Sequence, residues 1–454
     1  MSHRFHPDIL REYDIRGTVG RTLSVADAHA LGRSFATVLR RGGGRRIAVG
    51  RDGRLSSPML EEALVAGLVR GGVDVVRIGI GPSPMLYYAE AVLEVDGGIQ
   101  VTGSHNPADD NGFKMMLGHR SFWGEDIRTL ATIAAAGDWS EGAGTVADAV
   151  VLDDYVARLM AGYAGGTYRI GWDCGSGAAG PAVERLVRSL PGEHHLLFTE
   201  PDGNFPHHHP DPTEEANLAH LRALVADEGL DFGLAFDGDG DRIGAIDGRG
   251  RVIHGDEILQ LLAEPLLREL PGATIIADVK ASQALFDRVR DLGGIPLMAR
   301  TGHSAIKAEM LRTGAPLAGE MSGHIFFAQD YYGFDDALYA AVRLIRAIHL
   351  SGRSLTELRD TMPARVATPD LRIPVAEERK HALVAEVAAR LAAAGATVDA
   401  TDGVRVREAE GWWLLRVSNT QAAVTVRAEA GDAAGLDRLL AIVDGQLAAS
   451  GVAR

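Results

Sequence analysis

Apolar runs and amphipathic stretches alternate through the first three quarters of the chain. Ile47-Ala48-Val49-Gly50 reads as a buried strand that leads through Arg51-Asp52-Gly53-Arg54 into a helix from Ser57 to Arg70. The same order returns at Tyr168–Trp172, with the loop Asp173-Cys174-Gly175-Ser176-Gly177 and a helix through Val183–Val187. It returns again at Thr274–Asp278, with Lys280-Ala281-Ser282 and a helix through Leu285–Val289. Three such units at roughly 100-residue spacing predict three related α/β domains. Their strand-end loops are expected to converge on a common cleft, where α/β proteins bind ligands.

The last quarter has a different rhythm. From Leu371 the pattern predicts a strand, a helix over Ala382–Ala394, strands at Val404–Arg407, Trp412–Val417 and Ala423–Glu429, and a closing helix over Leu436–Leu447. This is a smaller α+β domain, joined near Pro363–Pro369, where a hinge is expected. Trp412-Trp413 reads as one core and one surface position of a strand.

The chain has 454 residues, enough for three or four domains, and 46% hydrophobic residues, enough for their cores. No run reaches the ~20 apolar residues of a membrane span. The first residues, Met1-Ser2-His3-Arg4-Phe5-His6, do not resemble a signal peptide. A net charge of −15 argues against nucleic acid or an anionic membrane as the main partner. The single cysteine, Cys174, has no internal disulfide partner, which fits a reducing cytoplasm. Only Lys114, Lys280, Lys307 and Lys380 are lysines among 46 basic residues. Three of them fall in or near glycine- and histidine-rich loops, where an ammonium offers what arginine cannot.

Two loops carry candidate chemistry. Thr102-Gly103-Ser104-His105-Asn106-Pro107 follows a strand ending in Ile99-Gln100-Val101 and presents one hydroxyl beside an imidazole in a forced turn. Asp237-Gly238-Asp239-Gly240-Asp241-Arg242 ends the apolar run Phe232–Phe236 with three carboxylates that need a cation among them. An all-oxygen donor set selects Mg²⁺ or Ca²⁺. It is not an EF-hand loop: the sixth and twelfth positions hold Arg242 and Gly248 instead of Gly and Glu. Arg242 adds an anion-binding group beside the cation, as phosphoryl transfer requires.

With these loops the chain resembles the α-D-phosphohexomutase superfamily, and within it the bacterial phosphomannomutase/phosphoglucomutase group. The likeness runs from Arg11-Glu12-Tyr13-Asp14-Ile15-Arg16-Gly17 through both loops and Gly319-Glu320-Met321-Ser322-Gly323-His324 to Arg416-Val417-Ser418-Asn419-Thr420. It implies three similar α/β domains with mixed sheets around a central cleft and a smaller C-terminal α+β domain. The expected bounds are 1–150 with the phosphoserine loop, 151–252 with the metal loop, 253–366 with the sugar-specificity loop and 367–454 with a phosphate-binding loop. By the resemblance, Ser104 carries a phosphoryl group, and Asp237, Asp239, Asp241 and an oxygen of the phosphorylated Ser104 hold Mg²⁺. The reaction is a reversible transfer between the 1- and 6-positions of a hexose phosphate through a 1,6-bisphosphate, which also serves as activator.

The resemblance places Arg16, His105, Lys114, Arg242 and His303 around the reacting centre, with Tyr13, Lys280 and His324 lining it. Glu320 and Ser322 would read the ring hydroxyls, and Arg416, Ser418, Asn419 and Thr420 would anchor the distal phosphate. Lys114 and His303 are both candidate bases for the acceptor hydroxyl. Gln421-Ala422 stands where relatives carry a proline, which leaves the rigidity of the last loop open. Partners are expected to be small hexose phosphates, and the protein a monomer or weak dimer.

Other residues have plainer readings. Lys307 reads as a helix-face charge, Asp335-Asp336 as a polar turn or helix start, and His207-His208-His209-Pro210 as an ordered loop without a metal. The rival functions are a sugar-phosphate phosphatase, an amino-sugar phosphate mutase and a sugar-phosphate-binding protein without catalysis.

Overall fold

The computed structural model describes residues 2–418 and 421–454. Its strands form four sheets. The first has the order Ile15–Thr18, Asp110–Leu117, Gly97–Val101, Arg46–Arg51, Asp74–Ile80, Val146–Asp148, with Arg120–Ser121 beside the second of these. Its interior pairs are parallel, while Asp110–Leu117 runs antiparallel to both neighbours, so the sheet is mixed. The second sheet (Val252–Ile253, Ile243–Asp247, Phe232–Phe236, Tyr168–Asp173, Gly192–Leu197) and the third (Ile295–Ala299, Thr274–Asp278, Leu317–Gly319, Ile325–Phe327) are mixed in the same way. Ile253 carries the second sheet one residue past the expected bound at 252. The fourth sheet (Val366–Ala367, Ala423–Ala430, Gly411–Val417, Val404–Arg407, Val398–Asp399, with Leu371–Pro374 also beside Ala423–Ala430) is antiparallel in each of these pairs and packs against helices Glu377–Ala393 and Ala433–Ala448.

Local chemistry explains where helices begin. Ser24 and Asp27 form a reciprocal cap on helix Val25–Arg41. Proline stands in the first turn of helices Ser57–Arg70, Ser83–Val92 and Gly180–Val187, where its missing N–H costs nothing. Asp336 caps helix Ala337–Ser351 by accepting from the Tyr339 N–H, so the second residue of Asp335-Asp336 is the expected helix start.

One apolar core runs through the first three units without a break, from Tyr87 and Met85 through Trp172 and Phe236 to Leu338 and Phe327. These units are therefore packed together rather than strung on linkers. The fourth sheet has its own core around Trp413, Leu415 and Val426. Its other face turns Trp412 and Leu414 onto Val279 of the third unit, so both tryptophans are buried. That overturns the expected surface position for one of them: the outer face of this strand meets another domain instead of solvent. Around the expected hinge, Val366–Ala367 already pairs with Glu429 and Ala430, and the Thr368 N–H donates to the Ala428 carbonyl. No helix among the described residues is long and apolar enough to cross a membrane.

Candidate functional site

Strand Gly97–Val101 is buried at every position and delivers its C-terminal loop into the centre of the molecule. Ser104 there is 2% exposed and holds a left-handed backbone, φ 48°. A non-glycine residue keeps that conformation only when its surroundings impose it. The Ser104 N–H donates to Thr102 Oγ1 at 2.8 Å, and Arg54 clasps the loop from below. The Arg54 guanidinium, 1% exposed, donates to the carbonyls of Ser104 (2.7 Å), Asn106 (2.6 Å), Pro107 (2.5 Å) and Asp110 (2.9 Å). Asp52 faces Arg54 at 3.2 Å and accepts the Gly103 N–H.

Strand Phe232–Phe236 of the second sheet brings the carboxylate loop to the same place. Ser104 Oγ donates to Asp237 Oδ2 at 2.7 Å and stands 3.2 Å from His105 Nδ1. Contact between the loops is tight: a Cβ on Gly238 would lie 2.3 Å from the Ser104 carbonyl oxygen, so only glycine fits there. Asp237, Asp239 and Asp241 are all fully buried. Lys114 Nζ donates to Asp239 Oδ2 at 2.7 Å and also to Asp241 Oδ2, and the Ser83 hydroxyl donates to Asp239.

The electrostatics follow from burial and crowding. Burial, then the charges of Asp239 and Asp241, push the Asp237 carboxyl well above the usual range. Burial opposes the Lys114 ammonium, but Asp239, Asp241 and Asp237 outweigh it and raise its pKa. Burial also opposes the Asp239 carboxylate, and Lys114 outweighs it and lowers that pKa. The residues suit a hard divalent cation. Carboxylate oxygens of the three aspartates come within 4.8 Å of one another, and Asp239 Oδ1 and Asp241 Oδ1 are buried without a hydrogen-bond partner among the described residues.

The third sheet closes the site from the opposite side. Arg242 Nε donates to His324 Nε2 at 3.0 Å. A guanidinium only donates, so the imidazole proton sits on Nδ1, 3.0 Å from Asp335 Oδ2. Asp241, His324 and Asp335 also satisfy a metal-like spacing. His303 stacks on His324 with ring centroids 5.5 Å apart, and its Nδ1 is 3.5 Å from Asp335. Burial, then Lys307, hold His303 well below the usual imidazole range. Burial, then Arg242, Arg16 and Lys114, do the same to His105.

The remaining sequence candidates fall around this centre. Arg16 donates to Asn106 Oδ1 (2.7 Å) and pairs with Asp14 (2.5 Å). Tyr13 donates to the Thr301 carbonyl at 2.7 Å, and burial raises its hydroxyl to about 12. Glu320 accepts the Gly302 N–H at 2.6 Å, and burial raises its carboxyl pKa. Ser322 is half-buried in the next turn. Lys280 donates to Asp370 at 3.0 Å, tying the third unit to the fourth. Arg416 donates through Nε to Asp402 at 3.0 Å, and one of its terminal guanidinium nitrogens is buried without a hydrogen-bond partner among the described residues. The Ser418 carbonyl accepts from Lys380 at 3.0 Å, while Asn419 and Thr420 lie outside the described residues.

Comparison with known proteins agrees in every part of the chain. Models described as phosphoglucomutase/phosphomannomutase alpha/beta/alpha domains I, II and III match residues 7–139, 153–250 and 254–366, and the C-terminal domain model matches 371–446. The chain belongs to the phosphoglucomutase/phosphomannomutase family. It is 42% identical over 443 residues to a phosphomannomutase/phosphoglucomutase of Pseudomonas putida, covering 97% of this chain and 96% of that protein. It is 41% identical to a phosphoglucomutase of Neisseria gonorrhoeae, covering 95% of each. The crystal structure of a family protein from Burkholderia thailandensis superposes with a TM-score of 0.93 at 41% identity, over 98% of each chain.

Several residues of this cluster have no signal in their own stretch of sequence. Asp335 is fully buried and gathers Lys307 Nζ (2.9 Å), His324 and His303. Lys307 is therefore turned inward from helix His303–Thr313 and is not the surface charge expected of it. Arg54 and Asp52 stood in a recognised strand-end loop, but nothing local revealed that they hold a loop fifty residues away. Asp402 accepts both the Thr301 N–H (3.1 Å) and Arg416, so it joins the third unit to the fourth.

Proposed function

We propose that this protein interconverts the 1- and 6-phosphates of a hexose, mannose or glucose, by way of a phosphorylated Ser104. The observation that carries the reading is the meeting of Ser104 Oγ with Asp237 at 2.7 Å, while Lys114 spans Asp239 and Asp241. A serine is a weak nucleophile, but as a phosphate carrier it divides one difficult transfer into two.

Asp237, Asp239, Asp241 and the phosphorylated Ser104 are the residues that would hold Mg²⁺. Bound there, the ion neutralises charge on the transferring phosphoryl group. In the forward half-reaction the free sugar hydroxyl forms a bond to phosphorus as the bond to Ser104 Oγ breaks. The hydroxyl proton needs a base. Lys114 and His303 are the candidate acceptors of that proton, and the departing Ser104 Oγ takes up a proton in exchange, so each half-reaction balances. The resulting 1,6-bisphosphate turns over in the cleft and returns its other phosphate to Ser104, which explains its service as activator. Arg416, with Ser418, Asn419 and Thr420, anchors the phosphate that is not reacting. Glu320 and Ser322 read ring hydroxyls in either pose.

Phosphorus NMR tests this reading with Mg²⁺, a trace of hexose 1,6-bisphosphate and either mannose 1-phosphate or glucose 1-phosphate. Growth of the 6-phosphate signal, abolished in Ser104→Ala, is the expected result. Release of inorganic phosphate alone would make the protein a phosphatase. No turnover of either sugar would favour an amino-sugar substrate or a binding protein.

A further inference from the structure

The loop His207-His208-His209-Pro210 is left over from the catalytic reading, yet its middle histidine is drawn inward. His208 Nε2 stands 3.0 Å from both carboxylate oxygens of Asp173, and its side chain is 11% exposed against 1% for Asp173. Asp173 ends strand Tyr168–Asp173, beside the strand that leads into the carboxylate loop, and also accepts the Gly175 N–H at 2.9 Å. His208 is packed edge-on against Phe198 and lies over His220.

The segment that carries His208 touches the carboxylate loop and the arginine that holds the Ser104 loop. At one end the Phe205 ring lies 5.0 Å from the Arg54 guanidinium, the cation that holds four carbonyls around Ser104. Gly203 packs so closely there that an added Cβ would stand 2.6 Å from Arg54 Cα. At the other end Pro210 packs on Gly175 and Gly238, with its Cγ 3.3 Å from the Cβ position of Gly238. Gly238 is the residue pressed against the Ser104 carbonyl. Phe198 and Phe205 both hold left-handed backbones, φ 54° and 49°, so the segment is shaped by its contacts rather than by local preference.

We propose that residues 198–210 form a strap that keeps the Ser104 loop and the Asp237–Asp241 loop in register, and that His208, latched to Asp173, is its positioning residue. The proposal rests on the reading of Ser104 as the phosphate carrier. The strap acts by fixing Arg54 on one side and Gly238 on the other. Small displacements of reacting groups are costly, about 100-fold in rate for roughly 1 Å.

The test compares His208→Ala, His208→Asn and His208→Gln in the full-length protein. Glutamine reaches Asp173 with a donor, whereas asparagine is too short. Alanine and asparagine are expected to lower kcat roughly 10- to 100-fold with the KM for hexose 1-phosphate within about twofold. They should also raise the Mg²⁺ concentration for half-maximal activity, and glutamine should recover most of both losses. Independently of any activity, amide hydrogen exchange should quicken in 102–107 and 237–242 for alanine and asparagine, and not for glutamine. Exchange that quickens only within 198–210, or a glutamine variant no better than asparagine, would overturn the proposal. Should alanine not fold, the asparagine and glutamine pair decides. Absence of mutase activity in the parent with the expected exchange pattern would overturn the functional reading and leave the strap standing.

Discussion

Lys114, on a strand of the first sheet, and Asp239, in the loop that follows strand Phe232–Phe236 of the second, meet at 2.7 Å and are both buried. The pair does more than join two units. Three carboxylates are crowded there, and this ammonium is the cation that touches two of them. Replacing Lys114 with Met strands buried charge, a change that costs about 3–5 kcal/mol when one partner of a buried pair is lost. The Lys114→Met variant is expected to melt well below the parent in the absence of divalent metal. Added Mg²⁺ should raise its melting temperature more than the parent's, because binding to the native state alone stabilises by mass action. Thermal melts with and without Mg²⁺ check both halves; equal metal responses would refute the charge argument.

Gly238 offers a steric test of the same junction. A methyl at this position would sit 2.3 Å from the Ser104 carbonyl oxygen, so Gly238→Ala must push the two loops apart. No titratable group or ligand atom is removed. Steady-state kinetics should show kcat down about 100-fold with KM little changed, the signature of misplaced reacting groups.

Asp336 gives a pH dependence away from the metal loop. Burial lifts its carboxyl to about 7, against hydrogen bonds from Tyr339 N–H, Tyr331 and Tyr155 that favour the ionised form. The folded protein thus holds this proton over a range in which the unfolded chain has lost it. Its contribution to stability is full below the unfolded pKa near 3.8 and declines as pH rises towards 7. Asp336→Asn keeps a carbonyl oxygen for the helix cap and has nothing to ionise. Its stability relative to the parent should therefore improve from about pH 4 to about pH 8, as read from urea midpoints. A difference that stays constant across that range would mean that the carboxyl titrates normally.

The parts of this site that were readable in advance are those that lie together in the chain. Ser104 with its proline turn, and three aspartates spaced by glycine, show their chemistry within six residues each. The four-part architecture was readable from periodicity, because apolar strands and amphipathic helices are set by near neighbours. What escaped depends on partners from other units. Asp335 looks like a turn residue until helix His303–Thr313 brings Lys307 against it, and Arg54 looks like a surface loop residue until the Ser104 loop folds over it. The burial of both Trp412 and Trp413 escaped for the same reason. Alternation along a strand separates its two faces but does not tell whether the second face meets water or, as here, Val279 and the Arg405 guanidinium 3.9 Å above the ring.

The anchoring role proposed for Arg416 can be tested apart from the chemistry. Its Nε is taken by Asp402, which also accepts the Thr301 N–H, so the guanidinium is held in one orientation across the boundary between third and fourth units. A terminal nitrogen of the same group is buried with no hydrogen-bond partner among the described residues, a donor available to an anion. Lysine at this position keeps the charge but loses the planar fork: its single nitrogen cannot both bond Asp402 and reach a phosphate in the same geometry. Arg416→Lys should therefore raise the KM for hexose 1-phosphate about tenfold or more while kcat falls far less, since the distal phosphate is held alike in ground and transition states. Initial rates over a range of substrate at saturating Mg²⁺ measure the two terms separately. A fall confined to kcat would move Arg416 from the anchor to the reacting centre.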